Sequence, residues 1–366
     1  MKIILHTESS MGWGGQEIRI LQEAKGMRGR GYRVLIAAEE ISEILKRAKK
    51  EGFEVFAVKF SKYHPLSFLR IKALIEKEKV DIVNTHSSKD SWVTTIAAKL
   101  ASNKPKIIRT RHLSTPIKNT ALNRLIYNVL PDIIITTSEE IRKNMININK
   151  FNPNKIFSIP TGVNLEKFDP EKVKPIFNSK EFKVGTIGVL RSWKGHIYLL
   201  EAIPLILQYI TNIKFYIVGD GPQKQNIENH IKKLNIEKWV IMLGHREDIP
   251  QILASLDVVV HPSYANEGVP QAILQAMAMK KCVIASDIIG IREVVINEKT
   301  GLLVPPKKPE EIAKEIIRVY KDPNLKKILG TEAQKFVKYK YSTDEMFRKI
   351  EEIYKKFPKN EFSNAI

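Results

Sequence analysis

Cysteine is nearly absent, long apolar runs are missing and acidic side chains are the minority charge. The 366 residues include one cysteine, Cys282, so no intrachain disulfide can form and a cysteine-ligated metal cluster is excluded; a reducing compartment is the default. No apolar stretch reaches the roughly 18 residues of a membrane-crossing helix. The opening Met1-Lys2-Ile3-Ile4-Leu5-His6-Thr7-Glu8 turns polar after three apolar residues, far short of an export-signal core. A cytoplasmic protein without spanning helix or leader is expected. There is no Asp-x-Asp and no set of histidines and carboxylates at metal-ligand spacing, so neither a metal nor another cofactor is expected.

What is present describes a globular chain. Apolar residues make up 43% and charged residues 27%, with 18 Gly and 18 Pro, which excludes disorder and collagen-like or low-complexity architectures. Sixty Lys and Arg against forty Asp and Glu leave a net charge of +20, and the excess is uneven. Residues 1–165 hold 28 basic and 15 acidic side chains, residues 166–366 hold 32 and 25. The first half is therefore the candidate surface for acidic lipid, a phosphorylated acceptor or nucleic acid. The plain alternative, solvated charge of the kind heat-adapted proteins carry, stands beside it.

At roughly 150 residues per domain the length suggests two domains. Short Ile- and Val-rich runs alternate with amphipathic segments, the pattern of a parallel sheet covered by helices on both faces. Strands are expected at 2–6, 32–37, 54–58, 81–85, 106–110 and 133–137, then at 183–189, 214–218, 239–243, 257–261, 282–286 and 301–304. Each half reads as a doubly wound, Rossmann-like α/β domain: 1–165 and 166–342, with a polar, Pro-containing linker over 168–180. Ser342-Thr343-Asp344-Glu345 is a capping-box signal. It opens a C-terminal helix within 343–366 whose Phe347, Ile350, Ile353, Tyr354 and Phe357 form one apolar face, expected to pack back on the first domain. In such sheets ligands sit beyond the carboxyl ends of the strands, and two facing domains would form a cleft.

The densest chemistry lies in 256–278, where a buried strand ends at Pro262-Ser263, followed by Glu267, Gly268, Val269 and Pro270 ahead of a helix. Proline favours the first helical turn, the amides of Gly268 and Val269 should be free, and the helix dipole adds positive potential, together a site for a diphosphate. Gln275, eight positions after Glu267, would lie about 12 Å along a continuous helix. Elsewhere Gly188-Val189-Leu190-Arg191-Ser192-Trp193-Lys194-Gly195 and Val218-Gly219-Asp220-Gly221-Pro222 supply glycines and cations at strand ends. In the first half, Gly12, Gly14 and Gly15 follow the first strand, and His86 and His112 follow the fourth and fifth.

Together these segments resemble the retaining GT-B glycosyltransferases of family 4, whose mark is Glu, seven residues, Glu. Leu243-Gly244-His245, Ser286 to Glu293 and Thr300 to Val304 extend the likeness over nearly the whole second half. The resemblance implies transfer of a sugar from a nucleotide-diphosphate sugar, UDP by family frequency, to a glycan or lipid-linked acceptor, with retained anomeric configuration, in cell-surface polysaccharide or lipopolysaccharide synthesis. It assigns Glu267 and His112 to the transferred sugar. Arg191, Lys194, Gly219, Gly221, Gly268, Val269 and Gln275 go to the donor, and Gly12, Gly14, Gly15 and His86 to the acceptor and phosphate loop. Two departures stand out: Gln275 replaces the second glutamate, and Val189 the usual arginine.

The same residues bear on competing readings. The alternative on this fold is a nucleotide-sugar epimerase, which needs further acid–base residues around the sugar, or a phosphorylase, which needs a lysine for a pyridoxal cofactor; the sequence carries no strong signal for either. A nucleic-acid-binding module would interleave aromatics with its basic segments, and none does, so nucleic acid is not an expected partner. Peripheral association with an anionic membrane surface is consistent with the basic first half. Strand-end histidines are often simply hydrogen-bonded, and Glu267 could be a plain helix-start carboxylate. Trp13 and Trp193 read as loop packing, and His196, His230 and His245 as structural.

Overall fold

A computed structural model describes residues 1–357 apart from Lys62, Tyr63, Ser114 and Asn266; positions 358–366 of the expected C-terminal segment lie outside the described residues. Among the described residues thirteen strands form two parallel sheets. The first holds β1 (Ile3–Glu8), β2 (Arg33–Ala38), β3 (Glu54–Ala57), β4 (Ile82–Thr85), β5 (Lys106–Arg111), β6 (Ile133–Thr136) and β7 (Ile156–Ser158), in the order β3-β2-β1-β4-β5-β6-β7. The second holds β8 (Phe182–Ile187), β9 (Ile213–Val218), β10 (Val240–Gly244), β11 (Val258–His261), β12 (Cys282–Ser286) and β13 (Leu302–Val304), in the order β10-β9-β8-β11-β12-β13.

Apolar runs such as Ile133-Ile134-Ile135 and Val258-Val259-Val260 become strands buried on both faces, because helices cover a parallel sheet from either side. In each sheet the strand order reverses once, between β1 and β4 and between β8 and β11. There the following connections diverge to opposite faces and leave a crevice at the carboxyl edge. The three-residue β7 was not among the expected strands.

The chain divides into one unit of Met1–Pro160 with the segment from Met346 onward, and a second of Thr161–Glu345. The residues just after Pro160 are bound into the second unit. Val163 N–H donates to the Tyr341 carbonyl at 2.8 Å, Thr343 N–H donates to the Val163 carbonyl at 3.0 Å, and a Cβ on Gly162 would lie 2.6 Å from the Ser342 carbonyl oxygen. Nor is 168–180 a loose linker: Phe168 is buried, and Phe177 stacks on Tyr216 with centroids 4.6 Å apart.

From Met346 onward the C-terminal helix (Thr343–Lys355) belongs to the first unit's core. Ser342 caps it by accepting from the Glu345 amide at 3.2 Å, and Met346, Phe347, Ile350, Ile353 and Tyr354 are buried against residues of β1, β2 and β4 to β6. Phe347 presses so closely that a Cβ on Gly26 would lie 2.5 Å from its ring. Each such aliphatic side chain contributes about 1.5–3 kcal/mol by burial.

Candidate active site

In the second unit three loops meet at the carboxyl edge, fitted by glycines. Gly219 has φ +140° and a Cβ there would stand 1.9 Å from the Gly188 carbonyl oxygen; one on Gly221 would stand 2.7 Å from that of Leu190. The two glycines thus lock the loop after β9 onto the loop after β8, which continues through a 3-10 turn (Ser192–Lys194). Gly195 ends the turn at φ +69°, where a Cβ would lie 2.1 Å from the Pro262 carbonyl oxygen, and Tyr264 N–H donates to the Trp193 carbonyl at 2.9 Å. The Lys-Gly pair is therefore pressed against the loop after β11, and this brings Lys194 to Glu267.

Only 7% of the Glu267 side chain is exposed. Three groups converge on its Oε1: Lys194 Nζ at 2.7 Å, Ser263 Oγ at 2.7 Å and His261 Nε2 at 3.4 Å. The Ser263 proton goes to the carboxylate, so the 3.1 Å contact between His261 Nε2 and Ser263 Oγ is one in which the ring nitrogen donates. Burial works to raise the Glu267 pKa, but the hydrogen bond and charge at His261 and the Lys194 ammonium outweigh it and hold the carboxyl at about 2. His261 itself is pushed down by burial, which makes Lys194 the lasting counter-charge. Oε2 has no partner among the described residues.

The helix beyond Glu267 starts at Gln271, with Pro270 as its N-cap at ψ +119°, so the expectation of proline inside the first turn is corrected. Its extended ψ places it just outside the helix. The amides of Gly268 and Val269 and of the first-turn residues Gln271, Ala272 and Ile273 take no backbone partner among the described residues. Because Glu267 lies outside the helix, the rise of about 1.5 Å per residue applies only from Gln271, and the 12 Å spacing to Gln275 lapses. Gln275 is half-buried on this helix (Gln271–Ala278). Gly290 completes the floor: a Cβ there would lie 2.3 and 2.4 Å from the carbonyl oxygens of Glu267 and Gly268. Arg191 is exposed, its guanidinium 5.0 Å from the Trp193 ring centroid.

The first unit's crevice is built differently. The helix after β1 (Gly15–Gly29) begins with Glu17 folding back to accept from the Gly14 amide at 2.8 Å, and Gly12 N–H donates to Ser10 Oγ at 3.3 Å. Two of the glycine amides expected to face a ligand are thus taken by their own loop. Below them, Glu8 accepts from the Ser10 amide, Gln16 and Ser87. Asp90 accepts from Thr7, Ser9 and the amides of His86 and Ser87. Burial, then the Glu8 charge, pushes Asp90 up to about 8; burial also raises Glu8.

His86 is corrected as a free acceptor-side group. It is buried, with Nε2 3.0 Å from His6 Nδ1 and Nδ1 3.0 Å from His112 Nε2, so both its nitrogens are occupied. His112 is half-buried and keeps Nδ1 without a partner among the described residues. Burial lowers the pKa of both; the neighbouring histidines, then Arg19, lower His86 further, and Arg19 and Arg111 lower His112.

Comparison with known proteins bears on these features. The profile described as Glycosyl transferases group 1 matches residues 167–336, and Glycosyltransferase Family 4 matches 13–167. The UDP-Gal:alpha-D-GlcNAc-diphosphoundecaprenol alpha-1,3-galactosyltransferase of Escherichia coli is 34% identical over 280 residues, 71% of each chain. The chain belongs to glycosyltransferase family 4. The capsular polysaccharide biosynthesis glycosyltransferase CapM of Staphylococcus aureus is 26% identical, covering 80% of this chain and 81% of its own. Among solved structures, a glycosyltransferase from Rickettsia africae superposes with a TM-score of 0.88 at 25% identity, over 100% of this chain and 99% of that one. Anabaena Alr3699/HepE in complex with UDP gives 0.84 at 21%, over 97% and 100%. These likenesses establish the GT-B fold.

Within that family frame, Glu267, Lys194, Gly268, Val269, Gly219 and Gly221 share one crevice, and His86 and His112 share the other. Sequence reasoning did not assign His261 and Ser263, which hold Glu267, nor His6. The signal for the first two was their place at the end of β11; His6, inside an apolar strand, offered none.

Proposed function

We propose that this glycosyltransferase moves a hexose from a UDP-sugar to a lipid-linked or polysaccharide acceptor with retention of configuration. The observation that carries the donor reading is the Glu267 carboxylate, ionised and fastened through Oε1, with Oε2 and the amides of Gly268 and Val269 without a partner among the described residues. The fastened acid is suited to sugar hydroxyls. The amides and the helix start are suited to a diphosphate, with Lys194 and Arg191 as cations. Gln275 is suited to the ribose diol through its amide, without the charge of a carboxylate. UDP is favoured because the Escherichia coli relative is named for UDP-Gal and the Anabaena structure holds UDP.

In the reaction the bond from the anomeric carbon to the β-phosphate oxygen breaks and a bond to the acceptor oxygen forms on the same face. The acceptor proton goes to the departing phosphate, so no second carboxylate is required. His112, neutral at physiological pH, contacts the transferred sugar. The charge on the leaving group is met by amides and basic side chains, and transfer is expected to persist in EDTA.

No described helix is long and apolar enough to cross a membrane. Peripheral attachment is supported by exposed Leu113, Leu122, Leu125 and Val129 interspersed with exposed Lys118 and Arg124, a mixture that suits an anionic bilayer surface. A thermal-shift screen over UDP, GDP, ADP and CMP tests the donor, since a ligand at 100 times its Kd adds about 2.7 kcal/mol. Stabilisation by UDP is expected, and its absence with all four nucleotides would remove the reading. Pelleting with anionic but not neutral liposomes tests the attachment.

A further inference from the structure

The first unit contains an unbroken row of three imidazoles. β1, β4 and β5 are neighbours in the sheet, which sets His6, the residue after β4 and the residue after β5 side by side. The two nitrogen–nitrogen distances are both 3.0 Å and both pairs of ring centroids are 5.3 Å apart. Burial keeps all three neutral. Arg19 and Arg111 oppose a proton on His112 and Arg19 one on His86, while Glu23, which also accepts from Asn84 and Tyr354, favours one on His6.

A neutral imidazole has one N–H and one lone pair. Each contact needs a donor facing an acceptor, so the three rings can adopt only two arrangements, all pointing inward or all pointing outward. The inner end decides between them. Among the described residues His6 Nε2 is buried without a hydrogen-bond partner; the inward arrangement would leave an N–H stranded there, the outward one only a lone pair, and buried orphan N–H groups are the rarer of the two.

We propose that His6 and His86 are positioning residues that fix the tautomer of His112. His6 Nδ1–H donates to His86 Nε2, His86 Nδ1–H donates to His112 Nε2, and His112 is left with Nδ1–H as a directed donor to a sugar oxygen. The last clause rests on the proposed contact between His112 and the transferred sugar. No ring needs a net charge for this, and a neutral donor suits a sugar that develops positive charge as the diphosphate leaves.

The test is nitrogen NMR of the full chain with ¹⁵N-labelled histidine at pH 8. His112 is expected to carry its proton on Nδ1, the minor form of free imidazole. His6→Leu should redistribute that proton toward Nε2 and lower kcat about tenfold, the value of one lost directing hydrogen bond, with KM for the donor unchanged. His6→Asn, whose amide N–H can replace Nδ1–H, should restore both. A proton on Nε2 of His112 in the unmodified protein overturns the proposal, as do unmoved His112 signals in His6→Leu. Should the tautomer be as stated while His112→Ala transfers at the normal rate, the row of histidines stands and the sugar contact falls.

Discussion

The two crevices occupy the same place in two sheets of the same design, yet they handle charge in opposite ways. In the second unit the buried acid is ionised and matched by an ammonium, Glu267 with Lys194. In the first, burial suppresses charge on His6, His86, His112 and Asp90. A Rossmann-like edge thus supplies geometry, while the neighbours of each side chain set its protonation. An ionised pair can exchange partners when a diphosphate arrives. A set of neutral hydrogen bonds offers direction without a charge that would repel a cationic sugar.

The contrast is broken most directly at the ion pair. Glu267→Ala and Lys194→Ala are each expected to reduce transfer by at least about 10²–10³-fold, the cost of removing a preorganised electrostatic group. Circular dichroism should show the fold retained, and a sugar-transfer assay checks the loss. In the first unit, His112→Ala removes one neutral hydrogen bond. About 10-fold to 10²-fold in kcat is expected, readable in the same assay. If the histidine proved the costlier loss, the division of labour would be reversed.

Stability against pH sharpens the contrast further. Asp90 ionises near 3.8 unfolded and at about 8 folded. Between those values the folded chain keeps a proton that the unfolded chain has lost, so this residue's contribution falls as pH rises and is fully lost above about 8. Asp90→Asn, whose single carbonyl oxygen can keep one of the two amide contacts, from His86 or from Ser87, should flatten the fall in Tm of the first unit between pH 5 and 9. A parallel decline in both proteins would show that Asp90 is ionised throughout. Glu267 runs the other way: its contribution is present above 4.5 and is lost only as pH falls toward 2.

These assignments were legible in the sequence to different depths. Short runs rich in Ile and Val marked twelve of the strands, and the central ones such as Ile82–Thr85 and Val258–His261 are buried on both faces, as parallel strands are. The thirteenth, Ile156–Ser158, is too short for any periodicity to register. Glu267 and Lys194 were marked by their motifs, but their pairing depends on Gly195 abutting Pro262, a contact between segments far apart in the chain. Pro270 misled because its fixed φ suits both an N-cap and a first helical position, and only ψ separates them. His86 looked available because spacing along a chain says nothing about two other strands placing a ring against each of its nitrogens.

The smallest expected effect comes from the departure at Gln275. The side chain is half-buried and takes no partner among the described residues, so its amide is free to meet a diol as both donor and acceptor. A carboxylate accepts more strongly but donates nothing, and at this position it would stand behind a helix start whose dipole does not favour an anion a turn further in. These terms oppose one another within about 1 kcal/mol, so Gln275→Glu should leave UDP affinity unchanged or up to about fivefold tighter by calorimetry, with kcat unaltered. A loss of tenfold or more would show that the amide N–H is itself read by the donor. The glutamine would then be a specificity element of the charged crevice, and the contrast with the neutral one would narrow to Lys194 and Glu267 alone.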